Sequence, residues 1–308
     1  MSKFSIVFPG QGSQAVGMLK ELGEQYDVVK QKFAEASEAL GYDLWALVQE
    51  GPAEKLNETF RTQPALLTSS VAIWRVWQEQ GLEQPANLAG HSLGEYSALV
   101  CAGVIDFKAA IKLVELRGQL MQEAVPAGTG AMYAIIGLAD DAIAKACEEA
   151  AQGEVVSPVN FNSPGQVVIA GSKAAVERAG ALCKEAGAKR ALPLPVSVPS
   201  HCALMQPAAD KLALALEEIE FNAPNIAVIN NVDVVAESDP AKIKSALVRQ
   251  LHSPVRWTES VQLMHEQGVE KLLEFGPGKV LTGLTKRIVK TLSAAVVNDV
   301  ASLDAAKS

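Results

Sequence analysis

A tight turn between a short apolar segment and a helical segment is the feature that most constrains this chain. Residues 87–90 predict a buried strand, residues 93–102 predict a helix, and positions 90–94 between them read GHSLG. A G-x-S-x-G pattern in this context is typical of a nucleophile elbow, where small residues on either side of the serine allow a sharp backbone turn. The turn would expose Ser92 Oγ and place the N–H of Leu93 beside it, at a helix N-terminus that favours an oxyanion.

The rest of the chain alternates between short apolar segments and amphipathic segments of helical period. Predicted strands at 4–8, 227–230 and 269–275 alternate with predicted helices at 17–40, 65–80, 107–124, 206–218, 240–251 and 254–267, with one more beginning at 280. This alternation is typical of helices packed on both faces of a mostly parallel sheet. We therefore predict an α/β fold with a hydrolase-like, doubly wound parallel sheet and a frayed tail from Ala301.

The middle of the chain has a different order of elements. From 131 to 198 the pattern predicts a strand, a helix, two strands, a second helix and a final extended segment. This β-α-β-β-α-β order is typical of a ferredoxin-like α+β module, and proline-containing turns mark both of its ends. The sequence thus predicts an inserted ferredoxin-like subdomain at 126–198 within a core domain formed by 1–125 and 199–308.

Charge and composition exclude several classes of function. The net charge is −8 at pH 7, which disfavours nonspecific nucleic-acid binding because that requires a basic surface. No apolar run approaches the roughly 20 residues of a membrane-spanning helix, and the apolar start is too short for a signal peptide. The four cysteines are scattered, which argues against a zinc site or a disulfide framework. We expect a cytoplasmic protein without nucleic-acid or membrane partners, and nothing demands more than a monomer.

A serine nucleophile needs a general base, and the chain offers only four histidines. His91 adjoins Ser92, so its side chain should point away from Ser92 Oγ across the turn. His265 lies on the polar face of a predicted helix. His201 and His252 remain, and His201 is preferred because it lies where the chain re-enters the core domain, in a loop of the kind that carries function.

Arg117 lies on the apolar face of the predicted helix 107–124. A buried guanidinium without an anionic partner is strongly destabilising. Two interpretations are open at this point. Either a buried acidic residue pairs with Arg117, or the guanidinium binds the carboxylate of a substrate through two parallel hydrogen bonds.

Several ordered motifs accompany these residues. The chain carries FPGQGSQ at 8–14, GHSLGE at 90–95, NFNSPGQ at 160–166, PSH at 199–201 and EFGPG at 274–278. Together with Arg117, they resemble the motifs of the acyltransferase family of fatty acid and polyketide synthesis. The resemblance extends from end to end of the chain, without a departure at a motif position.

This resemblance implies a reaction and a set of roles. It implies transfer of a malonyl group from malonyl-CoA to acyl carrier protein through an acyl-serine, without a metal or redox cofactor. Matched by position, Ser92 would be the nucleophile, His201 its base and Arg117 the binding group for the malonyl carboxylate. Gln11 and Leu93 would supply the two N–H groups of the oxyanion hole.

The resemblance also implies supporting residues. The histidine is held by a backbone carbonyl rather than by an aspartate, and the carbonyl falls at Gln250. Asn162 and Gln166 would line or close the site from the inserted subdomain, although a local Pro-Gly turn explains both equally well. The carrier protein is acidic and needs a basic docking patch. The basic residues of 189–190 and of 286–290 are candidates for this patch. The other interpretation of each group is a solvent-exposed surface that binds no partner.

Two other classes of function share parts of the pattern. A serine esterase or thioesterase uses the same elbow, but its histidine comes late in the chain after an acidic residue, whereas about a third of this chain follows His201. Such a hydrolase also has no use for a buried arginine. A docking module on a decayed acyltransferase fold would have lost Ser92, His201 or Arg117, and all three are present.

Overall fold

The computed structural model describes residues 2–196 and 198–307, which form nine strands and fourteen α-helices. The strands are β1 (Phe4–Phe8), β2 (Leu88–Gly90), β3 (Gly130–Ile136), β4 (Val156–Ser163), β5 (Gln166–Ser172), β6 (Arg190–Pro193), β7 (Val228–Ile229), β8 (Lys271–Phe275) and β9 (Ser293–Val297). The helices are α1 (Lys20–Gln25), α2 (Asp27–Leu40), α3 (Leu44–Glu50), α4 (Ala53–Leu56), α5 (Thr59–Glu79), α6 (Leu93–Cys101), α7 (Phe107–Ala124), α8 (Asp140–Ala151), α9 (Lys173–Glu185), α10 (Gln206–Glu217), α11 (Pro240–His252), α12 (Trp257–Glu266), α13 (Val280–Ile288) and α14 (Val300–Ala306). A short 3₁₀ turn at Ala203–Met205 precedes α10.

Five strands form a parallel sheet in the order β7-β2-β1-β8-β9. The central strands are buried on both faces, as expected for a parallel sheet covered by helices. Phe8 pairs with Gly90 at the carboxyl ends of β1 and β2, so the loops that follow these two strands meet. A Cβ on Gly10 would lie only 2.7 Å from the carbonyl oxygen of His91, which shows how closely the two loops approach.

The other four strands form an antiparallel sheet in the order β4-β5-β3-β6, packed against α8 and α9. This order and connectivity are those of a ferredoxin-like fold. Its apolar residues form a cluster of their own, which includes Ile135, Cys147, Ile169 and Cys183. The predicted fold class, a doubly wound parallel α/β sheet with a ferredoxin-like α+β module, is confirmed. The proposed boundaries at 126 and 198 stay a prediction.

A strand-like contact ties the two sheets together beside the elbow. The N–H of Phe161 in β4 donates to the carbonyl of Val255 at 3.0 Å, and the N–H of Val255 donates to Val159 at 2.8 Å. Val255 lies just before α12 and is fully buried. These bonds hold β4 over the carboxyl edge of the large sheet.

Two expectations from the sequence were wrong. The tail from Ala301 is not frayed, because α14 is closed by a capping box between Asp299 and Ser302 and buries Leu303. Helix α5 begins at Thr59, six residues earlier than the apolar run predicts, and accommodates Pro64 in its second turn.

Two further observations concern the cysteines and the search for a membrane span. All four cysteines are free and buried. Across the part of the chain that the structure describes, no helix is both long and apolar enough to cross a membrane.

Candidate active site

Ser92 occupies a strained turn between β2 and α6. Its backbone has φ 53° and ψ −112°. Residues other than glycine rarely adopt this conformation, which is typical of nucleophile elbows. A Cβ on Gly90 would lie 1.9 Å from the backbone of Gly94, and a Cβ on Gly94 would lie 2.1 Å from the carbonyl oxygen of Phe8. Glycine is therefore required at both positions for the turn to close.

His201 lies against Ser92 although 109 positions separate them in the chain. Ser92 Oγ and His201 Nε2 are 2.7 Å apart, and His201 Nδ1 is 2.7 Å from the backbone carbonyl oxygen of Gln250. A carbonyl oxygen can only accept, so Nδ1 must carry the proton and Nε2 is left free to accept from the Ser92 hydroxyl. This tautomer is the one that a general base requires.

The environment of His201 keeps its imidazole neutral. Burial lowers the pKa of His201 to about 3, and the charge of Arg117 acts in the same direction. The ring is only 3% exposed. A histidine that stays unprotonated near neutral pH is able to accept a proton from serine.

Arg117 is buried in α7 with 1% of its surface exposed. Its Nη1 donates to Gln63 Oε1 at 2.7 Å, and its Nη2 donates to Gln250 Oε1 at 3.1 Å and to Ser92 Oγ at 3.2 Å. Among the described residues it forms no ion pair with a carboxylate, and its Nε has no hydrogen-bond partner. A buried cation that is held by neutral amides and points at a nucleophile is a site for an incoming anion.

Leu93 and Gln11 are the residues whose backbone N–H groups the sequence resemblance predicts to form an oxyanion hole. Leu93 is the first residue of α6, and Gln11 lies in the loop after β1 and lines the cleft. In the hydrogen-bond network of residues 2–196 and 198–307, neither N–H has a partner. Unpaired donors at a helix N-terminus and a neighbouring loop are the arrangement that stabilises an oxyanion.

A cleft of about 200 Å³ opens beside Ser92. It is lined by Ser92 and His201, by Gln11 from the loop after β1, and by Met132 and Asn160 of the small sheet. The cleft is therefore bordered by residues of the small sheet and by the loops that follow strands of the large sheet.

The two remaining predicted residues lie in different places. Asn162 Oδ1 is 2.8 Å from Nε2 of His91, so the side chain of His91 faces the small sheet. Gln166 is not part of this group, since its Oε1 accepts from Nη1 of Arg287 on α13 at 3.2 Å. Of the other histidines, His252 ends α11 and His265 is exposed.

Three buried polar residues around the elbow were missed by sequence reasoning. They are Gln63, Glu95 and Asn231, each 2% exposed or less. Asn231 follows the two-residue strand β7, and its position just after the carboxyl end of a parallel strand is a signal that could have found it. Glu95 ends the GHSLGE motif, and its acidic side chain in a buried helix is a second signal that could have found a site residue.

The fold and the site together are those of an enzyme that transfers acyl groups through a serine ester. The acyl transferase domain family matches residues 5–305, and the chain belongs to this family. Among curated proteins it is 71% identical over 306 residues to the malonyl CoA-acyl carrier protein transacylase of Salmonella typhimurium, covering 99% of each chain. It is 47% identical to the Bacillus subtilis protein of the same name, covering 99% of this chain and 96% of that one.

Solved structures agree with this assignment. An acyl carrier protein S-malonyltransferase from Vibrio cholerae is 84% identical and superposes with a TM-score of 0.98, covering 99% of this chain and 100% of that chain. A malonyl-transacylase solved in complex with a type II PKS acyl-carrier protein is 71% identical with a TM-score of 0.99, covering 99% of both chains. These likenesses extend over the whole chain, including both sheets.

Proposed function

We propose that this protein transfers the malonyl group of malonyl-CoA to the phosphopantetheine thiol of acyl carrier protein, through a malonyl ester of Ser92, and so supplies fatty acid synthesis. One observation carries the proposal. A buried guanidinium without a carboxylate partner, that of Arg117, lies 3.2 Å from the oxygen of a serine that is hydrogen-bonded to a neutral histidine. Such a site fits an acyl group that ends in its own carboxylate.

The first half-reaction forms the ester. His201 Nε2 takes the proton of the Ser92 hydroxyl as Oγ attacks the thioester carbonyl, and the oxyanion is stabilised by the N–H groups of Leu93 and Gln11. The intermediate collapses, the C–S bond breaks, and the proton on His201 passes to the departing thiolate of coenzyme A. Malonyl-serine remains.

The second half-reaction reverses these roles for a new thiol. The phosphopantetheine thiol gives its proton to His201 and attacks the ester carbonyl, and Ser92 leaves with that proton. Both half-reactions use the same base and the same oxyanion hole, so the reaction is ping-pong. No step requires a metal or a redox group, and among the described residues no cluster of three or more His, Cys, Asp or Glu is placed to hold a metal.

Arg117 provides the selectivity for a malonyl group. The malonyl carboxylate would give the guanidinium the charged partner that it otherwise lacks, in a site where water does not screen the pair. An acetyl group would leave the guanidinium with uncharged hydrogen-bond partners only. Sites built to bind a polar group reject analogues without that group by large factors. A simple esterase gains nothing from this arginine, so acyl transfer is favoured over hydrolysis.

The carrier protein would dock on basic residues of the small sheet and of α13. The two candidate patches are neighbours, because Lys189 packs against Gly137, the N–H of Gly137 donates to Gly165, and Arg287 reaches Gln166. Lys189, Arg190 and Arg287 form the basic strip that an acidic carrier protein would complement. This strip supports the proposed partner. A cytoplasmic monomer that acts without a cofactor stays the expectation from the sequence.

Intact-protein mass spectrometry tests the function directly. Wild type is mixed briefly with malonyl-CoA, and we expect a malonyl adduct that disappears when holo acyl carrier protein is added. Ser92→Ala should form no adduct under the same conditions. Release of free malonate without an adduct would support the esterase alternative, and absence of both adduct and malonate would contradict the proposal.

A further inference from the structure

Glu95 is a buried carboxylate that the proposed mechanism does not use. It lies in the first turn of α6, three residues after Ser92, and is 2% exposed. Its Oε2 accepts two hydrogen bonds, from the backbone N–H of Asn231 and from Nε2 of Gln250, each at 3.0 Å. A buried carboxylate is strongly destabilising unless its hydrogen bonds are satisfied, so these two bonds define its place in the site.

Asn231 connects Glu95 to the elbow. Its side chain spans the turn, with Oδ1 accepting from the N–H of Ser92 at 2.9 Å and Nδ2 donating to the carbonyl of Gly90 at 2.7 Å. The N–H of the strained Ser92 backbone is therefore held by the side chain of Asn231. That side chain is positioned in turn by the bond from its own backbone N–H to Glu95.

Gln250 connects Glu95 to Arg117. Its amide nitrogen faces three oxygens, which are Glu95 Oε2, the carbonyl of Ser92 at 3.0 Å and Asn231 Oδ1 at 3.2 Å. Its Oε1 consequently points the other way and accepts from Nη2 of Arg117. A flipped amide would place its oxygen against three oxygens and its NH₂ group against a cation. Glu95 is one of the three acceptors that fix this orientation, and it alone of the three also accepts from the backbone N–H of Asn231.

We propose that Glu95 is a positioning residue that acts through Asn231 and Gln250. Through them it keeps the Ser92 backbone and the Arg117 guanidinium correctly placed relative to each other for an acyl group that carries a carboxylate. This inference rests on the proposed malonyl transfer. Burial raises the pKa of Glu95 to about 7. The role is the same in both protonation states, because Oε2 accepts both bonds and a proton would be carried on Oε1.

The test compares three substitutions, Glu95→Gln, Glu95→Asp and Glu95→Ala, in single-turnover acylation of Ser92 by malonyl-CoA and, separately, by acetyl-CoA. The readout is the ratio of the two rate constants. In Glu95→Ala the Gln250 amide loses one of its three acceptors and the Asn231 N–H loses its acceptor, so Gln250 is held less firmly against Arg117. The malonyl/acetyl ratio should therefore fall about tenfold or more. In Glu95→Gln the new Oε1 accepts the same two bonds, and the ratio should stay within about threefold of wild type. Glu95→Asp is too short to reach both donors and should also lose selectivity, which keeps the test available if Glu95→Ala does not fold.

Glu274 offers a matched control. Like Glu95, it is a buried glutamate, but it lies near the carboxyl end of β8. Its side chain accepts from the N–H groups of Leu281 and Thr282 at the start of α13. It does not contact the elbow. Glu274→Ala should lower the melting temperature while leaving the malonyl/acetyl ratio unchanged.

The outcomes separate the two proposals. Equal slowing of both acyl groups in Glu95→Ala and Glu95→Asp would overturn the role of Glu95 in placing Arg117. No slowing of either acyl group would overturn the positioning role altogether and leave Glu95 a structural residue only. Wild-type protein that forms no malonyl adduct would instead contradict the proposed function, whatever the Glu95 variants do.

Discussion

The backbone carbonyl of Gln250 accepts a hydrogen bond from Nδ1 of His201 at 2.7 Å, in the place where a serine hydrolase commonly has a carboxylate. A neutral carbonyl fixes the tautomer and the ring orientation without adding a negative charge beside the base. The same residue contributes its side-chain Oε1 to Arg117 at 3.1 Å. One residue thus orients the base through its main chain and the anion-binding group through its side chain.

These two contributions of Gln250 are separable by substitution. Gln250→Ala keeps the backbone carbonyl but removes the amide, so we expect malonyl acylation to slow by about 10- to 100-fold, as for other groups that orient site residues. Reaction of Ser92 with a small fluorophosphonate, which carries no carboxylate, should change by no more than about threefold because the Ser92–His201 pair is intact. Equal losses in both assays would show that the amide is needed for the nucleophile itself.

Arg117 should control selectivity rather than reactivity. In Arg117→Ala the malonyl carboxylate would be buried without a partner, and we expect the rate of malonyl acylation to fall by about 10³-fold or more. Acetyl acylation should fall much less, since acetyl makes no bond to the guanidinium. The measurement is kcat/KM for both thioesters, and parallel losses would contradict the carboxylate-binding role.

The pH dependence follows from the buried histidines. Burial lowers the pKa values of His201 and His91 in the folded protein, so the unfolded chain binds more protons below its ordinary histidine pKa of 6.5. The contribution of these groups to stability is therefore complete above pH 6.5 and is lost as pH falls toward the folded values. The two histidines should lower the free energy of unfolding at pH 5 relative to pH 7.5, by up to about 1.4 kcal/mol per pH unit each. Burial raises the pKa values of Glu95 and Glu274, which acts in the opposite direction, so urea unfolding of wild type and His91→Gln is compared at both pH values. The variant should lose less stability than wild type between pH 7.5 and pH 5.

The same pKa of His201 makes a kinetic prediction. Because the base is already neutral, kcat/KM for malonyl-CoA should not fall with an ordinary histidine titration near pH 6.5, provided that the protein stays folded. A pH–rate profile with circular dichroism at each pH checks this. An acid limb centred at pH 6.5 in fully folded protein would contradict the assigned environment of His201.

Gly94 should tolerate no side chain. Its Cβ would lie 2.1 Å from the carbonyl oxygen of Phe8, so Gly94→Ala forces α6 away from β1. We expect a loss of about 3 kcal/mol or more in stability, together with a large loss of acylation because Ser92 moves. Gly283→Ala on α13, where nothing lies within 4 Å of the added Cβ, is the control and should change neither quantity markedly.

The basic strip should matter only in the second half-reaction. Arg287→Glu places a negative charge where an acidic carrier protein would dock, so kcat/KM for the carrier should fall about tenfold at low salt and less at high salt. Acylation by malonyl-CoA should be unchanged, because Arg287 lies on α13 away from Ser92. A loss in both half-reactions would place Arg287 in the coenzyme A site instead.

Local patterns predicted most of the fold. The alternation of strands and helices, the elbow at 90–94 and the inserted module all depend on periodicities within about 20 residues. Prediction of the elements failed where a helix is stabilised by contacts with distant parts of the chain. Helix α14 has only seven residues and is too short to be stable alone, yet its cap and the burial of Leu303 hold it in place.

Prediction of the site was likewise split between what local patterns showed and what only tertiary contacts decided. The sequence by itself determined which residue types were available, namely an exposed serine at a sharp turn, few histidines and an arginine on an apolar helix face. Only the tertiary structure decided that His201 rather than His252 lies against Ser92, and that amides rather than a carboxylate surround Arg117. The contacts of Glu95 with Asn231 and Gln250 bridge 136 and 155 positions. No local pattern encodes them, because they exist only after parallel strands have brought their carboxyl ends together.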